Sequence, residues 1–479
     1  MDKLIGRHKE QSILNNCLES GRSEFVVIYG RRRIGKTFLV RRFFNDTYDF
    51  SFVGKHEMPR EQQLADFAKA LQRYSSSEFA PELKNWTQAF DSLARLLEAK
   101  DANRKKVIFF DEMPWMDTPK SDFVSSLENF WNGWAAMRDD IVFVACGSAT
   151  SWMIDSLLHN QGGLFNRITR KIYLRPFRLY EVEQYMDEHH FNWSRYQIAQ
   201  CYMILGGVPF YLTLLNPHVS LLSNIDELFF ADSHAMLRTE HNELYATLFK
   251  RPDNYLTVIR LLTQRKEGYT RKEISENTGL GGAALTKVLS DLEQCDFVLP
   301  YARYGNKRNN TIYRIKDFYT LFFYKYIQGV DTKDPHRWTH LSSSQQVVSW
   351  QGFSFELLCL MHLDEIKQAL GIDRILNDSS AWRSRQGGHG TQIDLVIERA
   401  DRNINICEMK FSGTPYIISA DYERRLRERM AIFRAETATR CSTRMTMVTT
   451  YGVLLGKHSA IVDDEVTLDD LFAVTDETK

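Results

Sequence analysis

The chain has 479 residues, 43% hydrophobic and 25% charged, with zero formal net charge and seven scattered cysteines. Such a length exceeds one ordinary core, so a globular chain of two to four domains is expected, and any polyanionic partner must be held by local patches rather than by an overall field. No apolar run reaches the roughly 18 residues of a membrane span, "MDKLIGRHKEQSIL" has no apolar signal core, and the absence of Cys-x-x-Cys argues against a disulfide framework or zinc site and suits a reducing cytoplasm.

Short apolar runs at 24–30 ("EFVVIYG"), 106–112 ("KVIFFDE"), 141–148 ("IVFVACGS") and 170–177 ("RKIYLRPF") alternate with helical stretches. That pattern implies a parallel sheet covered on both faces. "GRRRIGKT" at 30–37 fits G-x-x-x-x-G-K-[ST], between a strand and the helix-like "TFLVRRFF". Gly30 and Gly35 let backbone N–H groups close around phosphate oxygens. Lys36 is expected to reach the β- and γ-phosphates of ATP and Thr37 to ligate Mg²⁺, at a helix N-terminus that favours anions. Arg33 and Phe38 complete the nucleotide-binding stretch, although the side chains of the variable triple Arg31–Arg33 are expected to be solvated or to meet a partner. "VIFFDE" ends in two carboxylates: Asp111 suits the Mg²⁺ shell and Glu112 the attacking water. Ser148, at the end of the next strand, is placed to sense the γ-phosphate.

Residues 178–250 read mostly as helix, broken by "GGVPF". Over 253–315 the pattern is helix, Gly-containing turn, helix, then a hairpin with a polar tip, which resembles a winged helix-turn-helix. Arg303, Lys307, Arg308 and Arg314 cluster in this wing with Tyr301, Tyr304 and Tyr313, a composition suited to phosphate contacts. The recognition helix offers only Thr286, Lys287 and Ser290 for base edges, so its contacts are expected to be non-specific. "DTKDPHRWTHLSSSQQ" reads as a linker, and a smaller α/β unit follows.

In that unit "QIDLVIE" and "NINICEMK" form two strand-like runs joined by "RADRN". Glu408 and Lys410 share a strand face. If the runs pair, Asp394 comes near Glu408, and the two carboxylates make an oxygen-rich Mg²⁺ site beside Lys410, which would act on the attacking water. The basic helix "RRLRERMAIFR" at 424–434 suits a nucleic-acid backbone.

The order "LIGRHKE", "GRRRIGKT", "VIFFDE", "CGSA", "LFNRI", "GGVPFYL" resembles the AAA-type, STAND-like prokaryotic P-loop ATPases, many with winged-helix and nuclease-like C-terminal domains. The resemblance implies that Gly6, Arg7 and Glu10 frame the adenine side, that Gly207 and Pro209 close over the nucleotide, and that Arg167 acts as a transition-state arginine, with Arg170 competing for that role. The C-terminal unit resembles the restriction-endonuclease-like fold with its D…(D/E)-x-K arrangement. This implies that Glu356, on an amphipathic helix, also faces the metal, and Gln392 stands where related nucleases carry Glu.

The expected fold is thus α/β: a P-loop parallel-sheet ATPase core over 1–177, a helical lid over 178–250, a winged helix-turn-helix over 251–328, a linker over 329–345 and a restriction-endonuclease-like domain over 346–479. The expected function is a cytoplasmic ATPase, using ATP and Mg²⁺, whose nucleotide state controls a metal-dependent nuclease-like domain acting on DNA. No membrane association is expected, and a homo-oligomer is compatible with this reading. The alternative is an ATP-regulated scaffold or DNA-binding protein whose nuclease-like domain is inactive.

Overall fold

The structure, a computed structural model, describes residues 3–75, 77–101, 104–158, 163–164, 166–249, 251–305, 311–330, 333–384 and 391–475. The chain divides into two compact units, Met1–Arg175 and Pro176–Lys479.

The first unit is built on five strands: β1 (Glu24–Tyr29), β2 (Phe50–Val53), β3 (Lys106–Asp111), β4 (Ile141–Gly147) and β5 (Arg170–Tyr173). They lie in the order β2-β3-β4-β1-β5, and every pairing is parallel. Alternate residues of each strand feed two separate cores. Phe25, Ile108, Phe110 and Phe143 face the aromatic-rich core with Phe67, Trp86 and Phe90. Val26, Ile28, Val107 and Val144 face the aliphatic core with Leu14, Leu39 and Val40. The second core is closed by α1 (His8–Glu19) and α2 (Lys36–Phe43), which begins directly after the glycine loop. Burial on both faces is why these strands read as continuous apolar runs.

Among its described residues the second unit holds two sheets. One is antiparallel and three-stranded, with β6 (Tyr269–Thr270), β7 (Val298–Tyr301) and β8 (Ile312–Ile315) in the order β6-β8-β7. Two helices, α3 (Arg271–Thr278) and α4 (Gly282–Gln294), lie in the chain between β6 and β7. The other comprises β9 (Asn377–Arg383), β10 (Gln392–Arg399), β11 (Asn403–Lys410), β12 (Ser442–Thr449) and β13 (Asp464–Thr467), in the order β13-β12-β11-β10-β9. Strands β9, β10 and β11 pair antiparallel, β11, β12 and β13 parallel. Helix α5 (Gln345–Met361) and helix α6 (Ala420–Thr437) cover this sheet.

The expected linker is structured instead. Within 329–345, Arg337–Leu341 is helical. Trp338 is buried and packs edge-on against Phe322, Tyr326 and Trp350. Asp226 fixes its start by accepting the Trp338 amide at 2.7 Å and the Thr339 hydroxyl at 2.6 Å. Burial of one large aromatic outweighs the turn-forming composition around it. No helix among the described residues is long and apolar enough to cross a membrane.

Candidate nucleotide site and the carboxylates of the second unit

Parallel pairing puts the C-terminal ends of β1, β3 and β4 along one edge of the first sheet, with β4 between the other two. The loop Gly30–Gly35 leaves β1 there. Gly30 adopts φ +143°, and a Cβ on it would sit 2.3 Å from the Leu174 carbonyl oxygen, so only glycine fits. Gly35 is left-handed at the start of α2, and Arg33 also has positive φ. The Lys36 ammonium is buried and donates to the carbonyls of Gly30 at 2.9 Å and Arg31 at 2.8 Å. Phe38 is partly exposed on the first turn of α2, with the Arg42 guanidinium over its ring. Arg7 is buried and reaches the Ile34 carbonyl at 3.4 Å, beside Glu10. It thus braces the loop's backbone.

Two strands away, Asp111 accepts the Thr37 hydroxyl at 2.8 Å and the Glu112 amide at 2.9 Å. Burial pushes its carboxyl up, and the Thr37 hydrogen bond opposes that. Glu112 is left-handed (φ 46°), which turns its side chain across β4. There its Oε2 accepts the Ser148 hydroxyl at 2.8 Å and the Ser148 amide at 3.2 Å. Two tight glycines hold this edge. A Cβ on Gly54 would meet the Glu112 carbonyl at 2.4 Å, and one on Gly147 would meet Pro114 at 2.6 Å. A glycine directly after or ending a strand is a readable sequence signal for such close loop packing.

Arg167 is not near this edge. Thr169 donates its amide to Phe25 at 3.0 Å, and Arg170 pairs in register with Val26. Both arginines therefore lie towards the sheet's N-terminal edge, with Arg170 roughly 13 Å below the loop at about 3.3 Å per residue and Arg167 preceding it. Arg170 is 3.6 Å from Glu24, and Arg167 is exposed in a turn. Neither serves the site of its own chain, so any transition-state arginine at 167 would have to act on a neighbouring copy. Arg167→Ala is expected to leave turnover unchanged in dilute protein. A loss that grows with protein concentration in a steady-state assay would place the residue in a partner's site.

Gly207 and Pro209 belong to the second unit. A Cβ on Gly207 would lie 1.9 Å from the Phe177 carbonyl oxygen, and Pro209 opens the short helix Pro209–Leu212. The "GGVP" segment thus has a packing reason within its own unit.

The expected metal set of the second unit is not assembled. Leu395 pairs with Cys407, which makes Asp394 and Glu408 neighbours along the ladder. However, β10 shifts register against β9 between Ile393 and Val396. Both of those side chains face the α6 core, with Trp382 and Ile406. Same-face residues three apart mean one extra residue, a bulge. Asp394 is turned to the α5 side, where its charge acts on Glu356 and Lys266. Gln392 donates to its Oδ1 at 3.3 Å, and Tyr301 donates to its carbonyl at 2.7 Å. Lys266 lies 3.3 Å from Glu356, whose carboxyl is pushed up to about 7 by burial first and by Asp394 next.

Glu408 faces the opposite way, under α6. Lys410 lies 2.8 Å from its Oε1, the Tyr422 hydroxyl donates to the same oxygen at 2.5 Å, and Arg429 binds Oε2. Burial alone would raise the Glu408 carboxyl, but the Lys410 and Arg429 charges hold it below the usual range. Among the described residues no group of three or more His, Cys, Asp or Glu is placed to hold a metal ion. Tyr422 and Arg429 are not assigned to Glu408 by the sequence reading. They are seven apart in the helical stripe Tyr422, Leu426, Phe433 that α6 turns to the sheet.

The wing expectation also changes. Arg314 and Tyr301 are buried, Arg303 bridges to Ala381 of β9, and the Tyr304 ring packs 5.1 Å from Phe433. These residues dock the small sheet on the large one. Lys307 and Arg308 lie outside the described residues. On α6, Arg424 pairs with Asp421 at 2.9 Å and Arg427 with Glu423 at 2.7 Å, which neutralises much of the expected basic face. Thr286 and Lys287 are exposed on α4, next to Arg271 and Asp291.

Residues 4–215 match the family model of an ATPase domain predominantly from Archaea. The match covers the first unit and the start of the second, and ends short of both sheets of the second unit. Across more of the chain, an uncharacterized protein of Methanocaldococcus jannaschii is 24% identical over 428 residues, spanning 85% of this chain and 87% of that one. Among solved structures, a Walker-type ATPase of Pyrococcus abyssi is similar at 16% identity and TM-score 0.48, over 67% of this chain and 96% of that one. The ORC2 protein of Aeropyrum pernix, in ADPNP–ADP complexes, is similar at 14% identity and TM-score 0.44, over 72% and 98%.

Proposed function

We propose that the chain is a magnesium-dependent ATPase that works as a switch, and that its second unit responds to nucleotide state by binding a partner rather than by cutting one. The observation that carries this is the Thr37 hydroxyl on the Asp111 carboxylate at 2.8 Å, with Glu112 held beside them by Ser148. A hydroxyl and a carboxylate that has no cationic partner within hydrogen-bonding distance form a donor set suited to a hard cation. Thr37 and Asp111 would hold Mg²⁺ there. The bound ion would neutralise charge developing on the phosphates.

The rest is done by the chain. Lys36 exchanges its two loop carbonyls for phosphate oxygens. The amides of the loop and the first turn of α2 hold the same group. Glu112 exchanges the Ser148 hydroxyl for the attacking water and orients it, so Ser148 couples the occupancy of the phosphate end to the position of the catalytic carboxylate.

The binding role of the second unit is supported by the ion-paired state of Glu408 and the turn of Asp394 away from it. Nucleic acid is the partner class that the exposed Thr286 and Lys287 of α4 fit. Hydrogen exchange on the full chain tests the switch. ATP and ADP states of the hydrolysis-deficient Glu112→Gln protein are expected to differ in protection within residues 176–479. Identical exchange there in both states would contradict it.

A further inference from the structure

The docked small sheet leaves a cleft against the large one, wholly within the second unit. Its cavity volume is about 40 Å³, and Arg265, Arg303, Arg314, Arg383, Gln392 and Asp394 are among its lining residues. Arg265 is already neutralised by Glu273 at 2.8 Å. Arg314 is not. It is 4% exposed, and among the described residues its Nη2 has no hydrogen-bond partner and the buried Arg303 Nε has none either. Glu356 lies within electrostatic reach of Arg314, but it is hydrogen-bonded to Lys266 and is the carboxyl that burial pushes towards neutrality. A guanidinium cannot shed its proton, and keeping a charge dry without a partner is costly. Arg383 adds a third guanidinium at the exposed rim. Glu267 and Asp394 are the remaining acids of the lining, and Asp394 is engaged by Gln392.

We propose that this cleft binds a phosphate group, held by Arg314 and Arg303 from below and Arg383 at the rim. Guanidinium forks match phosphate oxygens in pairs. The volume of about 40 Å³ has room for roughly three water-sized centres. That suits one phosphate group and excludes a whole nucleoside. The group can come from a free phosphate compound or from the backbone of a nucleic acid.

The test uses the full chain carrying Lys36→Ala, which removes the competing phosphate site at the loop of the first unit. Inorganic phosphate and a short single-stranded oligonucleotide are titrated by calorimetry. Saturable binding is expected, weakened at least about tenfold by Arg314→Met. Arg383→Gln, at an exposed position that does not threaten folding, should weaken it by a smaller factor. Oligonucleotide binding much tighter than phosphate and sensitive to the same variants identifies a nucleic-acid backbone as the source. Equal affinities identify a free phosphate compound. No binding of either probe, or binding unchanged by both variants, overturns the proposal. Neither result bears on ATP hydrolysis at the first unit, which is measured in the chain with Lys36 intact.

Discussion

Glu112→Gln should reduce ATP hydrolysis by about 100-fold or more while ATP binding is retained. The magnitude is that of deleting a single catalytic group that positions water. Glutamine keeps the shape and still accepts the Ser148 hydroxyl through its amide oxygen, so the edge formed by β3, β4 and their tight glycines should survive. What is lost is the negative charge that orients the attacking water. Lys36→Ala should act at the earlier step. Lys36 is the ammonium of the glycine loop and now satisfies two loop carbonyls. Without it the phosphates lose their charge-assisted contact, and fluorescent-nucleotide binding should weaken strongly. Native turnover in Glu112→Gln would remove Glu112 from the mechanism. Native nucleotide affinity in Lys36→Ala would remove the loop from the site.

The second large effect concerns stability. Glu408→Ala leaves Lys410 and Arg429, 30% and 24% exposed, without the carboxylate that both contact. Stripping one partner from a fully buried pair costs about 3–5 kcal/mol. Partial exposure lowers that here to about 2–3 kcal/mol, a fall of roughly 3–5 °C in the melting of the second unit. A metal-binding carboxylate predicts the reverse, because removing one acid from a cluster of acids relieves repulsion. The pH dependence is a second signature. The folded carboxyl titrates below its unfolded value of about 4.3. Its contribution is therefore complete above that pH and is lost as pH falls through the folded value. The gap between wild type and variant should close on acidification below about pH 4. A melting temperature unchanged or raised at pH 7 would restore the metal reading of Glu408.

Much of the first unit was legible because its signals are local. A glycine loop between an apolar strand and a helix, and a strand ending in two carboxylates, each carry their own geometry. Parallel pairing then brings Thr37 and Asp111 together without further information. Arg167 was misplaced although the sequence held the answer. A residue just before a parallel strand lies at the sheet edge opposite the loop that follows a neighbouring strand. The second unit was less legible for a different reason. Period-two reasoning puts Asp394 and Glu408 on one face, and a single bulged residue in β10 reverses that. Nothing in "QIDLVIE" marks the bulge. The linker failed on Trp338, whose burial depends on partners up to 112 residues away, such as Asp226. Arg303, Arg314 and Tyr301 read as residues of a surface hairpin until a second sheet covers them.

The most direct test follows phosphate release and nucleic-acid integrity in one reaction. The full chain is incubated with ATP, Mg²⁺ or Mn²⁺, and mixed single- and double-stranded DNA. Phosphate should be released and the DNA should remain intact. No phosphate release, or DNA cleavage that disappears in both Asp394→Ala and Lys410→Ala, would contradict a switch that hydrolyses ATP and binds without cutting.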